Sequence, residues 1–179
     1  MAASEQQVIR ITERNGFDGI KSFTEKVPKA GKHEVLVKVR SVSLNYRDIA
    51  VATSKYPAPT KDNVVPASDA AGEIVEVGEG VTGFSVGDQV VSPVDQTNLY
   101  GPLQNWVNAL GAPVDGVLRE YIIIPASAVV KLPESSLSWA QWSALVGTGS
   151  TVWNVLYGNI PLRPGQTVLF LGDYCPLIC

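Results

Sequence analysis

The chain has 179 residues, 45% hydrophobic and 17% charged, which is enough for one ordinary globular domain and a little more. Its net charge of −3 comes with no basic run, which argues against nucleic acid and anionic membrane surfaces as partners. No apolar stretch approaches a membrane span, the N-terminus lacks a signal-peptide core, and both cysteines, Cys175 and Cys179, fall too late to staple the body, so a reducing, cytoplasmic location is expected.

Residues 7–11 alternate as a short strand. Val35, Val37 and Val39 share one face of the next, with Lys38 and Arg40 on the other. His33, the single histidine, lies between Lys32 and Glu34 and reads as an exposed turn residue. Residues 45–53 have room for one short helical turn. The run "AAGEIVEVGEGVTGFSVGDQVV" reads as strand, glycine-rich turn and strand. Residues 95–116 show no period and form a long loop containing Trp106, as fit to line a substrate mouth as to anchor the loop. "GVLREYIIIP" is a further strand closed by Pro125, with Glu120 expected to pair with Arg119 or Arg47. Short strands with turn signals between them indicate a small barrel or sandwich.

The pattern changes at Pro133. Ser138 and Gln141 have the spacing of a capping box. The helical run that follows reaches about Tyr157, and Gly147 and Gly149 mark a break between two helices. Residues 167–171 read as a buried strand of the parallel-sheet kind, ending in the turn at Gly172.

These phrases carry a resemblance. "VSLNYRD", "VPASDAAGEIVEVGEGVTGFSVGDQVV", "GVLREY" and "LRPGQTVLFLG" resemble the N-terminal part of the medium-chain dehydrogenase/reductase superfamily, of the zinc-type alcohol dehydrogenase-like and quinone oxidoreductase-like kind. The run from Gly72 to Val90, with its spaced glycines and Phe84, is the most specific part. The resemblance implies a mainly β fold: a GroES-like barrel over residues 1–132, then linker helices and the first strand of an incomplete Rossmann domain over 133–179.

Zinc-dependent members place a cysteine where this chain has Asn45, a His-Glu pair where it has Ser68-Asp69, and a second cysteine near Gly147 or Thr148. Amide, hydroxyl and glycine are a poor set for zinc, so no metal is expected. Zinc-free relatives carry the Asn-Tyr-x-Asp of Asn45, Tyr46, Arg47 and Asp48. By that resemblance Asn45 and Tyr46 are candidate catalytic residues, and these two with Thr151 lie beside the nicotinamide of NADP(H). Read from residue type alone, Tyr46 is a core tyrosine with its hydroxyl satisfied, a reading that the family resemblance reverses, while Asp48 and Asp69 read as structural acceptors.

The implied reaction is hydride transfer to a small-molecule carbonyl, enone or quinone. A Rossmann fingerprint asks for further glycines after Gly172, where this chain has Asp173, Tyr174, Cys175 and Pro176. The expectation is therefore a truncated member, inactive by itself and holding no NADP(H) tightly. The alternative is a non-catalytic GroES-like binding module. The oligomeric state is open.

Overall fold

The computed structural model describes residues 4–98, 100–101 and 107–169. Strands β1 (Glu5–Ile11) and β2 (Ile20–Lys26) form an antiparallel hairpin. A five-stranded antiparallel sheet is built from β3 (Glu34–Ser43), β4 (Asp69–Val77), β5 (Gln89–Val91), β6 (Tyr121–Pro125) and β7 (Val130–Lys131), in the order β6-β3-β4-β5-β7. The hairpin closes on this sheet through segments beside the strands: Ile9 N–H donates to the Leu118 carbonyl and Ile11 N–H to that of Val64. The result is the mainly β, barrel-like architecture that the sequence implies. No helix among the described residues is long and apolar enough to cross a membrane.

Alternation explains the core. Val35 and Val37 on β3, Ile74 on β4, Val90 on β5, and Ile122 and Ile124 on β6 are all buried in one cluster with Leu110 and Val117. The register of β3 against β4 shifts twice, between Leu36 and Val37 and between Val39 and Ser41. The second irregularity opposes Ser41 to Ala71 and bends the pair just before the segment that delivers the site.

Helix α1 (Tyr46–Ala52) follows β3 directly. Its inner face, Val51 and Ala52, packs with Ile11, Val64 and Ala112 in a second, smaller cluster. Its outer face, Tyr46 and Ile49, is exposed. Helix α2 (Trp139–Ala144) starts at the Ser138 cap, where Gln141 N–H donates to Ser138 Oγ and Ser138 N–H to Gln141 Oε1. The glycine pair widens the helix instead of ending it: a π-helical turn (Leu145–Gly149) joins α2 to α3 (Ser150–Tyr157). Helix α3 buries none of its residues.

Two expectations need correction. Glu120 makes no ion pair among the described residues; its Oε2 accepts the Gln7 backbone N–H at 2.7 Å, because β1 runs past it while Arg119 turns back to the Gly116 carbonyl. Residues 167–169 pair with no strand among the described residues. The remainder of that expected strand, and Trp106, Gly172, Cys175 and Cys179, lie outside the described residues.

Candidate functional site

The start of α1, the start of β4 and the π-turn meet on one carboxylate. Asp69 is 1% exposed. Its Oδ2 accepts from Asn45 Nδ2 and from the Gly147 backbone N–H, both at 3.1 Å, and its Oδ1 accepts from Ser68 Oγ at 2.7 Å. All three donors are neutral. The carboxylate is therefore held by hydrogen bonds from three chain segments, which is how a buried charge is tolerated without a counter-ion.

Each partner is aimed by its own local structure. Asn45 is extended and caps α1, and its backbone N–H donates to Asp48 Oδ2 at 2.8 Å. Asp48 Oδ1 accepts from Ala67 N–H at 3.0 Å. Ala67 has φ of 66°, a left-handed conformation costly for a residue with a Cβ. That bond, together with the one from Val117 N–H to the Ala67 carbonyl, holds the turn that presents Ser68 and Asp69. Burial raises the Asp48 pKa above the usual carboxylate range, against the lowering effect of the Asn45 and Ala67 amides. Asp48 is thus a structural acceptor within the cap.

Gly147 has a positional reason. A Cβ there would sit 2.6 Å from Asp69 Oδ2, so only glycine lets the π-turn amide approach the carboxylate. The turn also points the Gly147 carbonyl at α3, where Thr151 Oγ1 donates to it at 2.8 Å. With its hydrogen so engaged, the Thr151 hydroxyl is left as an acceptor toward any ligand. On the other side, Ser41 Oγ and Ser143 Oγ lie 3.1 Å apart and fix α2 against β3.

The three residues singled out from sequence are placed differently. Asn45 and Thr151 belong to one chain of contacts, through Asp69 and Gly147. Tyr46 does not join it. It is 76% exposed, which removes the reading of a core tyrosine, and it lines a cavity of about 890 Å³ beside Arg47, Lys55 and Tyr56. Thr151 instead lines a separate cavity of about 660 Å³ with Ser92, Trp142 and Gly147. The residue that sequence reasoning left without chemistry is Asp69, which turns out to organise the centre. His33, exposed with φ of 62°, sits in a turn with its Nδ1 3.2 Å from the Gly80 carbonyl and its N–H donating to the Glu79 carbonyl.

The donor set does not suit zinc. The Asn45, Ser68, Asp69 and Gly147 positions offer one carboxylate that already accepts three hydrogen bonds, an amide, a hydroxyl and a backbone N–H, with no thiolate or imidazole. Among the described residues no three His, Cys, Asp or Glu side chains gather in one place.

Comparison with known proteins places the fold in a family. Residues 31–134 match the alcohol dehydrogenase GroES-like domain. A zinc-type alcohol dehydrogenase-like protein of Schizosaccharomyces pombe is 41% identical over 165 residues, covering 89% of this chain and 47% of that protein. An acryloyl-coenzyme A reductase of Metallosphaera sedula is 36% identical, covering 81% of this chain and 45% of that enzyme. The crystal structure of an alcohol-dehydrogenase-type protein of Sinorhizobium meliloti 1021 superposes with a TM-score of 0.76 at 33% identity, over 87% of this chain and 47% of that one. The chain thus spans about half the length of the relatives it matches. On fold, matched domain and relatives, the chain belongs to the alcohol dehydrogenase GroES-like family, within the medium-chain dehydrogenase/reductase superfamily of oxidoreductases.

Proposed function

We propose that this chain supplies the acceptor-binding half of a zinc-independent, NAD(P)H-dependent oxidoreductase that reduces a small carbonyl, enone or quinone. One observation carries the reading. At the place where the resemblance sets the metal ligands of zinc-type members, Asp69 accepts hydrogen bonds from Asn45, Ser68 and Gly147. The carboxylate and its donors do the work of tying three segments together.

NAD(P)H, when bound, supplies the hydride. The chain's own residues then have two tasks. Thr151, with its hydrogen given to Gly147, offers lone pairs to an amide N–H such as that of a nicotinamide carboxamide. Tyr46, with its ring exposed on α1, offers a hydroxyl to the oxygen that gains charge as the acceptor is reduced, and solvent restores the proton. Asn45 is a positioning residue that holds α1, and so Tyr46, against Asp69. In this reading residues 1–132 form the barrel domain and residues 133–179 belong to the nucleotide-binding side. The 179 residues alone are expected to hold NADPH weakly and to turn over little.

The test is NADPH oxidation by the chain fused to a nucleotide-binding domain of the same superfamily, with enone, quinone and aldehyde acceptors. Turnover insensitive to a strong chelator is expected, with Tyr46→Phe lowering kcat by roughly 10- to 100-fold at little change in KM. Turnover abolished by chelation and restored by zinc would overturn the zinc-independent reading. A fusion that binds NADPH but reduces none of the acceptors would favour a non-catalytic binding module.

A further inference from the structure

We propose that the cavity beside α1 is an oxyanion subsite, which binds a carboxylate or phosphate group through the Arg47 guanidinium with Lys55 as a second cation. The observation is an orphaned charge. All three guanidinium nitrogens of Arg47 are buried and have no hydrogen-bond partner among the described residues. A guanidinium cannot shed its proton to escape burial, so the charge stays and five N–H donors stay unmet. The Tyr56 ring, 5.1 Å from the guanidinium carbon, offsets part of that cost through its π face but accepts no fork of hydrogen bonds. A buried charge without a partner is unfavourable, and buried polar groups in folded proteins are otherwise satisfied.

The obvious internal partner is committed elsewhere. Asp48 follows Arg47 in the chain and feels its charge, yet its two oxygens accept the Asn45 and Ala67 amides and none of the guanidinium N–H groups. The cavity that Arg47 lines, about 890 Å³, has no carboxylate in its wall among the described residues. Lys55 lines it too, is exposed, and makes no ion pair among the described residues. The rest of the wall is largely apolar, from Ala50 and residues 57–59. A buried guanidinium at the wall and an exposed ammonium at the edge of an apolar cavity select a ligand with an anionic head on an apolar body. The planar fork of Arg47 matches a carboxylate or phosphate bidentately once a rotation of its long stem turns it into the cavity. Tyr46 lines the same cavity, one residue along α1. That the oxyanion is part of the reducible acceptor rests on the proposed function; its binding to Arg47 does not.

The experiment reads binding without cofactor. The 179-residue chain is titrated with butanoate, phenyl phosphate and inorganic phosphate at fixed ionic strength, with butanol as the neutral control, while the Arg47 Nε–Hε resonance is followed by NMR. Saturable binding of at least one anion is expected, with that resonance shifting and butanol leaving it unmoved. The tighter of butanoate and phenyl phosphate identifies the head group as carboxylate or phosphate. Arg47→Leu is expected to weaken binding by about tenfold or more, and Lys55→Met by about two- to threefold. If Arg47→Leu does not fold, Arg47→Lys keeps the charge without the fork and is expected to bind several-fold more weakly. No saturable binding of any anion, butanol binding as well as butanoate, or unchanged affinity in the folded Arg47 variant would overturn the proposal.

Discussion

The Asp69 carboxylate meets its donors at 2.7 to 3.1 Å and is closed off from water, so it cannot move away from an added atom. A Cβ at position 147 would stand 2.6 Å from Oδ2. Gly147→Ala is therefore expected to destabilise the chain by about 1–3 kcal/mol, read as a lower urea midpoint at unchanged m-value. An unshifted midpoint would mean that the π-turn does not depend on this approach. Asn45, Ser68-Asp69 and Gly147 could be picked out of the sequence because the family resemblance sets them where zinc-dependent members are expected to carry metal ligands. That Asp69 itself gathers the others could not be read there, since its bond to Gly147 spans 78 residues. Nor does residue type separate a buried tyrosine from the exposed Tyr46, because the two differ only in which face of α1 meets the small cluster beneath it.

Among the elements, the β1–β2 hairpin is anchored unevenly: Val8 and Ile11 of β1 are buried, while β2 is held by its pairing with β1 and by charge. No residue of β2 is fully buried. Arg10 on β1 pairs with Glu25 at 2.6 Å and with Asp115 at 3.3 Å, while Asp115 also takes Lys61 Nζ at 2.7 Å and the Val65 amide at 3.0 Å. Burial pushes the Asp115 carboxyl up, but Lys61, Val65 and Arg10 outweigh it and hold its pKa below the usual value. The hydrogen bond from Arg10, against burial, likewise lowers that of Glu25. Both folded values lie below the unfolded ones, so this stabilisation is present above the ordinary carboxylate range and is lost as pH falls through the lowered values. Asp115→Asn is expected to lower stability at neutral pH by about 1–3 kcal/mol, with the gap in Tm from wild type closing in acid. A gap constant with pH would exclude this cluster as the source. Strand β2 escaped the sequence reading because Ile20 and Phe23 stand three apart, without the alternation that marks a half-buried strand. The glycine pair was legible as an interruption. The π-turn was not, because it depends on Ser150 and Thr151 bonding back to the carbonyls of Val146 and Gly147.

Across the whole molecule, the barrel was the legible part. Its valine alternation, its spaced glycines and the cap at Ser138 are local signals that agree with the global fold. The described residues after β7 are read less easily. On helix α3 Trp153 and Val155 are exposed, as is Ile160 beyond it; among the described residues the Tyr157 ring, one turn along the same helix, meets Trp153 with centroids 5.0 Å apart. The barrel, α1 and the π-turn nevertheless converge on Asp69, and the central claim is that a hydrogen-bonded carboxylate occupies the place of a metal. The most direct measurement is zinc content and thermal stability of the chain in a Cys175→Ser/Cys179→Ser background, purified from zinc-supplemented medium, so that any bound zinc belongs to the Asp69 centre. Zinc far below one per chain, and a Tm unchanged by a strong chelator, is the predicted result. One zinc per chain, removed by the chelator with a fall in Tm, would contradict the account.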